Sequence, residues 1–478
     1  MPLPRRGAVA AGVLLLLVVL GLGAFKVVSF FRRDVTPRFD DIAEHYKYGS
    51  IGAEARLGIP EPIFQVLPVM FEDLLPKAPG QGYERLGFLY EPGHPLPVGT
   101  SVREKPIPLV GLNCAACHTG TLRRTAGARP EFILGAPANR FNSGGFLQFL
   151  IQIGQDPRFE AGAVLDAIAQ NGGHLSWVDR ALYRFVVIPQ MKKRLVETGQ
   201  QFTWLKGHPA FGPGRVDTFN PYKGLLGVDM TGDDSIGTAD YPPLFNQGVR
   251  RGMQLHWDGN NDSVEERNKS AAIGAGAEPG SLDLPAMDRV AVWIQDLKPP
   301  AFPHDHLDAA RAERGRKTWE ASCAGCHAIG GERVGKVTPL NEVGTDPERL
   351  ASFNEKLVEK MNTIGTGYPW RFNHFRRTDG YANAPLDGVW ARSPYLHNGS
   401  VPTLRALLFR EERPEVFFRG YDAFDWEKVG YVSSGPEAEK AGFLYDTRLR
   451  GNGNGGHLYG TGLPAAEKED LLEYLKTL

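Results

Sequence analysis

The sequence predicts a mainly α-helical chain of two helical domains, each folded around a bound group more than around a large core of its own. Three observations carry this. Apolar residues recur at three- and four-residue steps in several separate runs, the period of an amphipathic helix. Two short Cys-x-x-Cys-His segments occur, one in each half. Gly 57 and Pro 36 make up about 19% of the chain against a usual ~12%, so long loops join the helices. With 478 residues, 42% hydrophobic and 23% charged, the chain is globular, and neither wholesale disorder nor collagen-like repetition is compatible with it.

The elements follow in order. Arg5 and Arg6 precede an uncharged apolar stretch over residues 7–25, and Lys26, Arg32 and Arg33 follow it. Residues 1–33 read as an uncleaved signal anchor, with a cleaved signal peptide or a twin-arginine leader as alternatives. Residues 34–110, rich in Pro and aromatics, read as a mostly irregular segment covering a later domain, with a short helix over 68–75. Residues 111–300 form the first domain. It carries a helical insertion at about 146–240, with amphipathic runs over 146–153, 161–169 and 182–198, a Gly/Pro-rich loop over 209–243, and a helix over 283–297. Residues 298–303 are a stiff linker. The second domain spans 301–478, with helices over 308–319, 348–361 and 464–478.

Lys+Arg is 54 and Asp+Glu 55, a net charge of -1. No basic excess marks a nucleic-acid partner. The four cysteines are sharper: Cys114-Ala-Ala-Cys117-His118 and Cys323-Ala-Gly-Cys326-His327 use all of them. Thiols at i and i+3 share one face of a helical turn, and a histidine at i+4 lies beneath them. That spacing suits two thioether bonds to a haem and an imidazole on its iron. Zinc would need two more ligands nearby, and a redox pair needs no histidine. Two covalently bound haems c are expected, in two cytochrome-c-like domains. Such attachment requires export, so the body belongs in the periplasm, tethered to the cytoplasmic membrane through the N-terminal helix.

An open iron allows chemistry, while an iron closed on both sides allows electron transfer alone. For the second haem the candidate further ligands are His457, in a glycine-rich loop, His397, and Met361. For the first, His174, His208 and His256 are available, and no strong protein ligand is expected.

Two further segments resemble a family. Pro243-Leu-Phe-Asn246, His256-Trp257-Asp258-Gly259 and Ser263-Val-Glu-Glu266, with Ser393-Pro-Tyr-Leu-His397-Asn-Gly-Ser, are similar to blocks of the bacterial di-haem cytochrome c peroxidases and the methylamine-dehydrogenase-maturing enzymes. The resemblance implies that Trp257 relays electrons between haems, and that a calcium ion lies between them near Asn246 and the carbonyls about Pro394. The long insertion between His118 and Trp257, and the Gly-Gly-His457-Leu-Tyr-Gly ending, are closer to the rubber-oxygenase branch. The chain departs from the peroxidase pattern in three places. Arg267 stands for a glutamine, Glu278 is offset from the catalytic glutamate, and Glu411 stands for a ligand methionine. The expected activity is that of a peroxidase-type oxidoreductase reacting at haem 1, with Trp257 and Glu278 as catalytic residues. A haem-dependent dioxygenase of a hydrophobic substrate and a tethered electron carrier are the alternatives. A small periplasmic cytochrome or cupredoxin, or a small-molecule substrate, is the expected partner.

Overall fold

The computed structural model describes residues 32–478. The expected anchor or signal helix, residues 1–33, falls outside the described residues apart from its last two positions. Among the described residues no helix is long and apolar enough to cross a membrane.

Residues 34–110 are more ordered than expected. Helix α1 (Ile42–Tyr48) starts on Asp41, whose carboxylate accepts the Glu44 N–H. Helix α2 (Glu61–Met70) corrects the helix expected over 68–75: Pro62 occupies its first turn and Pro68 lies inside it. A proline there removes the bond to the carbonyl four residues back. The Tyr83 hydroxyl donates to that carbonyl, Phe64 O, at 2.8 Å, so the broken ladder is repaired from outside. Strands β1 (Ile59–Pro60), β2 (Thr100–Glu104) and β3 (Pro108–Leu112) form an antiparallel sheet in the order β1-β3-β2. Of the prolines that suggested irregularity, Pro62 sits at a helix start and Pro60 in an edge strand, where no backbone donor is missed.

The first motif forms α3 (Cys114–Cys117) and runs into the pair β4 (Thr119–Leu122) and β5 (Glu131–Leu134). The insertion is helical, as its periodicity indicates: α4 (Ser143–Gln155), α5 (Ala161–Gln170) and α6 (Ile188–Gln201). Phe149, Ile153, Val164, Ile168 and Leu195 form its buried face, in one core with Ile63, Phe64 and Leu67 of α2. The expected loop over 209–243 holds a strand pair, β6 (Arg215–Asp217) with β7 (Thr238–Asp240). Helix α7 (Val264–Gly274) is capped by the Ser263 hydroxyl and α8 (Leu284–Gln295) by the Asp283 carboxylate.

In the second half, α9 (Ala309–Ser322) leads into the motif helix α10 (Ala324–His327). The terminal helix α11 (Ala465–Leu475) packs across α9 at Gly315, where a Cβ would meet the Asp470 carbonyl at 1.9 Å. Trp319, Leu471 and Leu472 fill that contact. Between them lie further short pairs, β8 (Val337–Pro339) with β9 (Gly380–Ala382) and β10 (Val416–Arg419) with β13 (Phe443–Asp446), the intervening β11 (Phe424–Asp425) pairing β12 (Gly430–Tyr431). The architecture is therefore mixed, and the mainly helical expectation is corrected: strands of two to five residues are too short to print an alternating pattern on the sequence.

Buried ion pairs join the halves. Arg419 of β10 grips both oxygens of Asp240 of β7, at 2.9 and 3.1 Å. Losing one partner of such a pair costs about 3–5 kcal/mol.

Candidate functional site: two motif sites and the cavity between them

Site 1 is built by α3. The Asn113 side chain caps it, accepting from Ala115 N–H at 2.9 Å and donating to the carbonyls of Lys47 and Gly49 at the end of α1. Gly99 passes so close that a Cβ would meet Ala116 backbone at 2.3 Å. His118 sends Nδ1 to the Pro242 carbonyl at 2.8 Å, and Tyr46 OH donates to the His118 carbonyl at 2.7 Å. With Nδ1–H so engaged, Nε2 is the free lone pair, the tautomer an iron requires. Burial, then the Arg267 cation, pushes His118 down to about 3, so the ring is neutral. Burial raises the Cys114 thiol to about 11 and Cys117 to about 12. Redox Cys-x-x-Cys pairs need the opposite shift.

Site 2 repeats the plan. His327 Nδ1 lies 2.8 Å from the Ala384 carbonyl, and burial raises Cys323 to about 11. What differs is the opposite face. The His457 ring stands across from His327 with centroids 6.1 Å apart. Two imidazoles take a separation of about 6 Å when each nitrogen lies about 2 Å from one metal between them. His457 Nδ1 is buried and has no hydrogen-bond partner among the described residues. Burial, then proximity to His327, lowers His457 to about 4.

The glycine-rich loop explains how His457 arrives there. Gly456 has φ +73, and a Cβ on it would meet Gly344 at 2.2 Å. The His457 N–H donates to Val343 O at 2.7 Å. Arg413 then ties the loop down, donating to the carbonyls of Asn454 at 2.7 Å, Gly456 at 2.9 Å and His457 at 3.4 Å.

His397 does not join this site. It is buried, its ring stacks on Tyr381 at 4.1 Å, and its Nε2 is within 3.1 Å of the Tyr381 hydroxyl. That engagement removes it as the facing ring of site 2. Met361 packs in the apolar cluster of Phe353 and Leu357. His174 is exposed, and His208 lies against Trp204 with ring centroids 5.5 Å apart.

Between the sites lies a cavity. Its wall includes Pro242, which holds His118, and Ala384, which holds His327, with Trp257, His256, Arg250, Arg267 and Arg392. Trp257 Nε1 donates to the Asp240 carbonyl at 2.7 Å, and its own carbonyl accepts from Ala382 N–H at 2.8 Å. Gly259, with φ +67, brings the turn against Val337, where a Cβ would stand at 2.4 Å. Asp258 is locked by Arg349 at 2.9 Å. So Trp257 is held rigidly in a wall that touches the supports of both motif histidines.

One expected residue lies elsewhere, and one expected ion does not fit. Glu278 is exposed and lines a separate cleft with Arg56, Arg194 and Trp204. Helix α7 ends at Gly274, and Gly276 at φ +118 turns the chain outward before Glu278 is reached. The calcium expected at Asn246 does not fit. Asn246 Oδ1 accepts from the Lys298 ammonium at 2.8 Å, its Nδ2 donates to Asp387, and Asp387 is gripped by Arg250 and Arg392. Side-chain cations fill the place where the ion's charge would act. The carbonyls of Pro242 and Ala384, the clamp of Arg413 and the ammonium of Lys298 were not legible as site residues: backbone acceptors carry no side-chain signal, and Arg413 sits in a charged run that reads as surface.

Comparison with known proteins agrees with this chemistry. Residues 380–418 match the RoxA-like, cytochrome c-like family, and residues 310–369 match cytochrome C oxidase, cbb3-type, subunit III. The chain is 33% identical over 283 residues to the uncharacterized protein y4iM of Sinorhizobium fredii, covering 50% of this chain and 64% of that one. It is 26% identical over 500 residues to the uncharacterized protein y4iJ of the same organism, covering 83% of this chain and 81% of that one. Residues 310–418, which include the second Cys-x-x-Cys-His motif, are thus similar to cytochrome c-type domains with a RoxA-like relationship, a likeness that implies covalently bound haem c.

Proposed function

We propose that the protein is an exported two-haem oxidoreductase that activates dioxygen at site 1 and stores or delivers electrons at site 2. The observation that carries this reading is the unequal pair of faces. His457 stands 6.1 Å from His327, a spacing that closes an iron, while among the described residues no imidazole stands so across from His118, whose aromatic neighbour is the Tyr241 phenol at 6.3 Å, next to the Pro242 support. Burial raises that phenol well above its ordinary value, so it stays protonated.

In this reading Cys114, Cys117 and His118 hold one haem, and Cys323, Cys326, His327 and His457 hold the other. Bound haem supplies the redox chemistry, and the protein supplies orientation and electrostatics. Pro242 and Ala384 fix each proximal ring. Trp257 provides a rigid aromatic step in the wall between the sites. The likeness to RoxA-like cytochromes supports dioxygen as the oxidant. So does the cavity wall, in which the carboxylate is Asp240, already taken by Arg419. An apolar small molecule is the matching substrate class.

Peroxide is the second reading. Cleaving it requires a group that moves a proton between oxygens. His256 lines the cavity and is lowered to about 4 by burial and then by Arg267, so it is neutral and able to accept one. Rapid mixing decides between them. A spectral change at site 1 when the reduced protein meets dioxygen, with no turnover of reduced cytochrome by peroxide, is expected. Peroxide turnover that His256→Gln abolishes would replace the first reading with the second.

In both readings the body lies in the periplasm, tethered through the N-terminal apolar run. A small cytochrome or cupredoxin exchanges electrons with site 2, whose flanking residues Glu320, Gly325 and Ile329 are exposed.

A further inference from the structure

Three guanidiniums line the cavity between the sites. Two are neutralised in place, Arg250 and Arg392 sharing the Asp387 carboxylate at 2.5 and 2.9 Å. Arg267 is different. It is 9% exposed, and among the described residues its side chain has neither a salt bridge nor a hydrogen bond. Burying a charge without a partner costs several kcal/mol. A fold that keeps a guanidinium there implies an anion as its complement. Geometry places that complement at site 1. Ala272 of α7 packs in one apolar cluster with Cys114, and Arg267 shares the cavity wall with Pro242, whose carbonyl holds His118. Arg267 stands one turn into α7, which Ser263 caps and Tyr222 braces through its hydroxyl bond to Ser270 O, so the guanidinium is carried on a fixed element.

We infer that Arg267 makes the His118 side of the cavity a binding site for small monovalent anions. The inference rests on the open-site reading of site 1 and adds a ligand class to it. A guanidinium offers a fork of N–H donors and keeps its charge at any working pH. An anion entering beside His118 would meet that fork in a cavity walled largely by apolar atoms, where charge interactions are stronger than in bulk water. A carboxylate of the bound haem has the same chemistry and is the other possible source of the anion.

The test uses the full, haem-loaded ferric protein and two probes that differ in charge. Fluoride and neutral imidazole are titrated into wild type, Arg267→Gln and Arg267→Lys, with binding read from the site 1 absorption and electron paramagnetic resonance signals. Covalent haem content and the site 2 spectrum serve as the folding control. Fluoride affinity is expected to weaken by about tenfold or more in Arg267→Gln and to be largely kept in Arg267→Lys, with imidazole affinity equal in all three. Equal fluoride affinity in wild type and Arg267→Gln, with a shifted site 1 reduction potential, would overturn the inference and assign Arg267 to a haem carboxylate. Parallel weakening of both probes would also overturn it, showing a packing role. If neither probe bound the wild type, the open-site reading itself would fall.

Discussion

The two Cys-x-x-Cys-His sites share a plan and part company at one face. Each is a single turn of helix, and each hands its histidine Nδ1 to a backbone carbonyl 2.8 Å away. Site 2 then receives His457 from a loop far along the chain. Site 1 receives no imidazole in that position among the described residues, and is bordered instead by a cavity that Arg267 and His256 help to line. The attachment turn of each site is local and set by five consecutive residues, while the carbonyl that orients its histidine comes from farther along the chain. The distal half is tertiary, and it decides whether a site reacts or only conducts.

The largest effect expected from breaking this contrast comes from His457→Ala. Site 2 should lose its low-spin ferric signature and bind exogenous imidazole, making the two sites alike; an unchanged spectrum would remove His457 as the facing ligand. Arg413→Ala should act in the same direction but only in part, because it frees the carbonyls of Asn454, Gly456 and His457 without touching the ring. A mixed-spin site 2 and a loss of about 2 kcal/mol or more in denaturant unfolding are expected. Trp257→Phe should leave both coordination spectra intact and slow electron transfer between the sites by something on the order of tenfold, measured by stopped flow after site 2 is reduced.

The smallest effect concerns His397, which the contrast leaves out of both sites. Burial, then the Arg349 and Arg215 cations, holds it well below its ordinary value of 6.5. The folded protein therefore binds fewer protons there than the unfolded chain. The stability this contributes is full above pH 6.5 and is lost as pH falls below it, at up to about 1.4 kcal/mol per pH unit. Urea midpoints compared at pH 7.5 and 5.5 should fall with acid, and His397→Gln should flatten that fall. An equal slope in both proteins would mean that His397 titrates normally.

How much of this was legible in the sequence follows the same local-to-tertiary divide. The motif turns and the helices at 283–297 and 308–319 could be read directly, since each rests on spacing within a few residues. The bond from Tyr83 to the Phe64 carbonyl freed by Pro68, the sheet of β1–β3 and the hold of Lys298 on Asn246 could not. Each depends on a partner that folding brings from elsewhere. Glu278 was misplaced because position relative to Trp257 says nothing of the turn at Gly276 that carries it outward.

Low-temperature electron paramagnetic resonance of the ferric, haem-loaded protein tests the central claim most directly. The account predicts one high-spin signal, from site 1, beside one low-spin signal, from the His327–His457 pair. Two low-spin signals that persist after half-reduction would contradict it, and would make the protein an electron carrier with both sites closed.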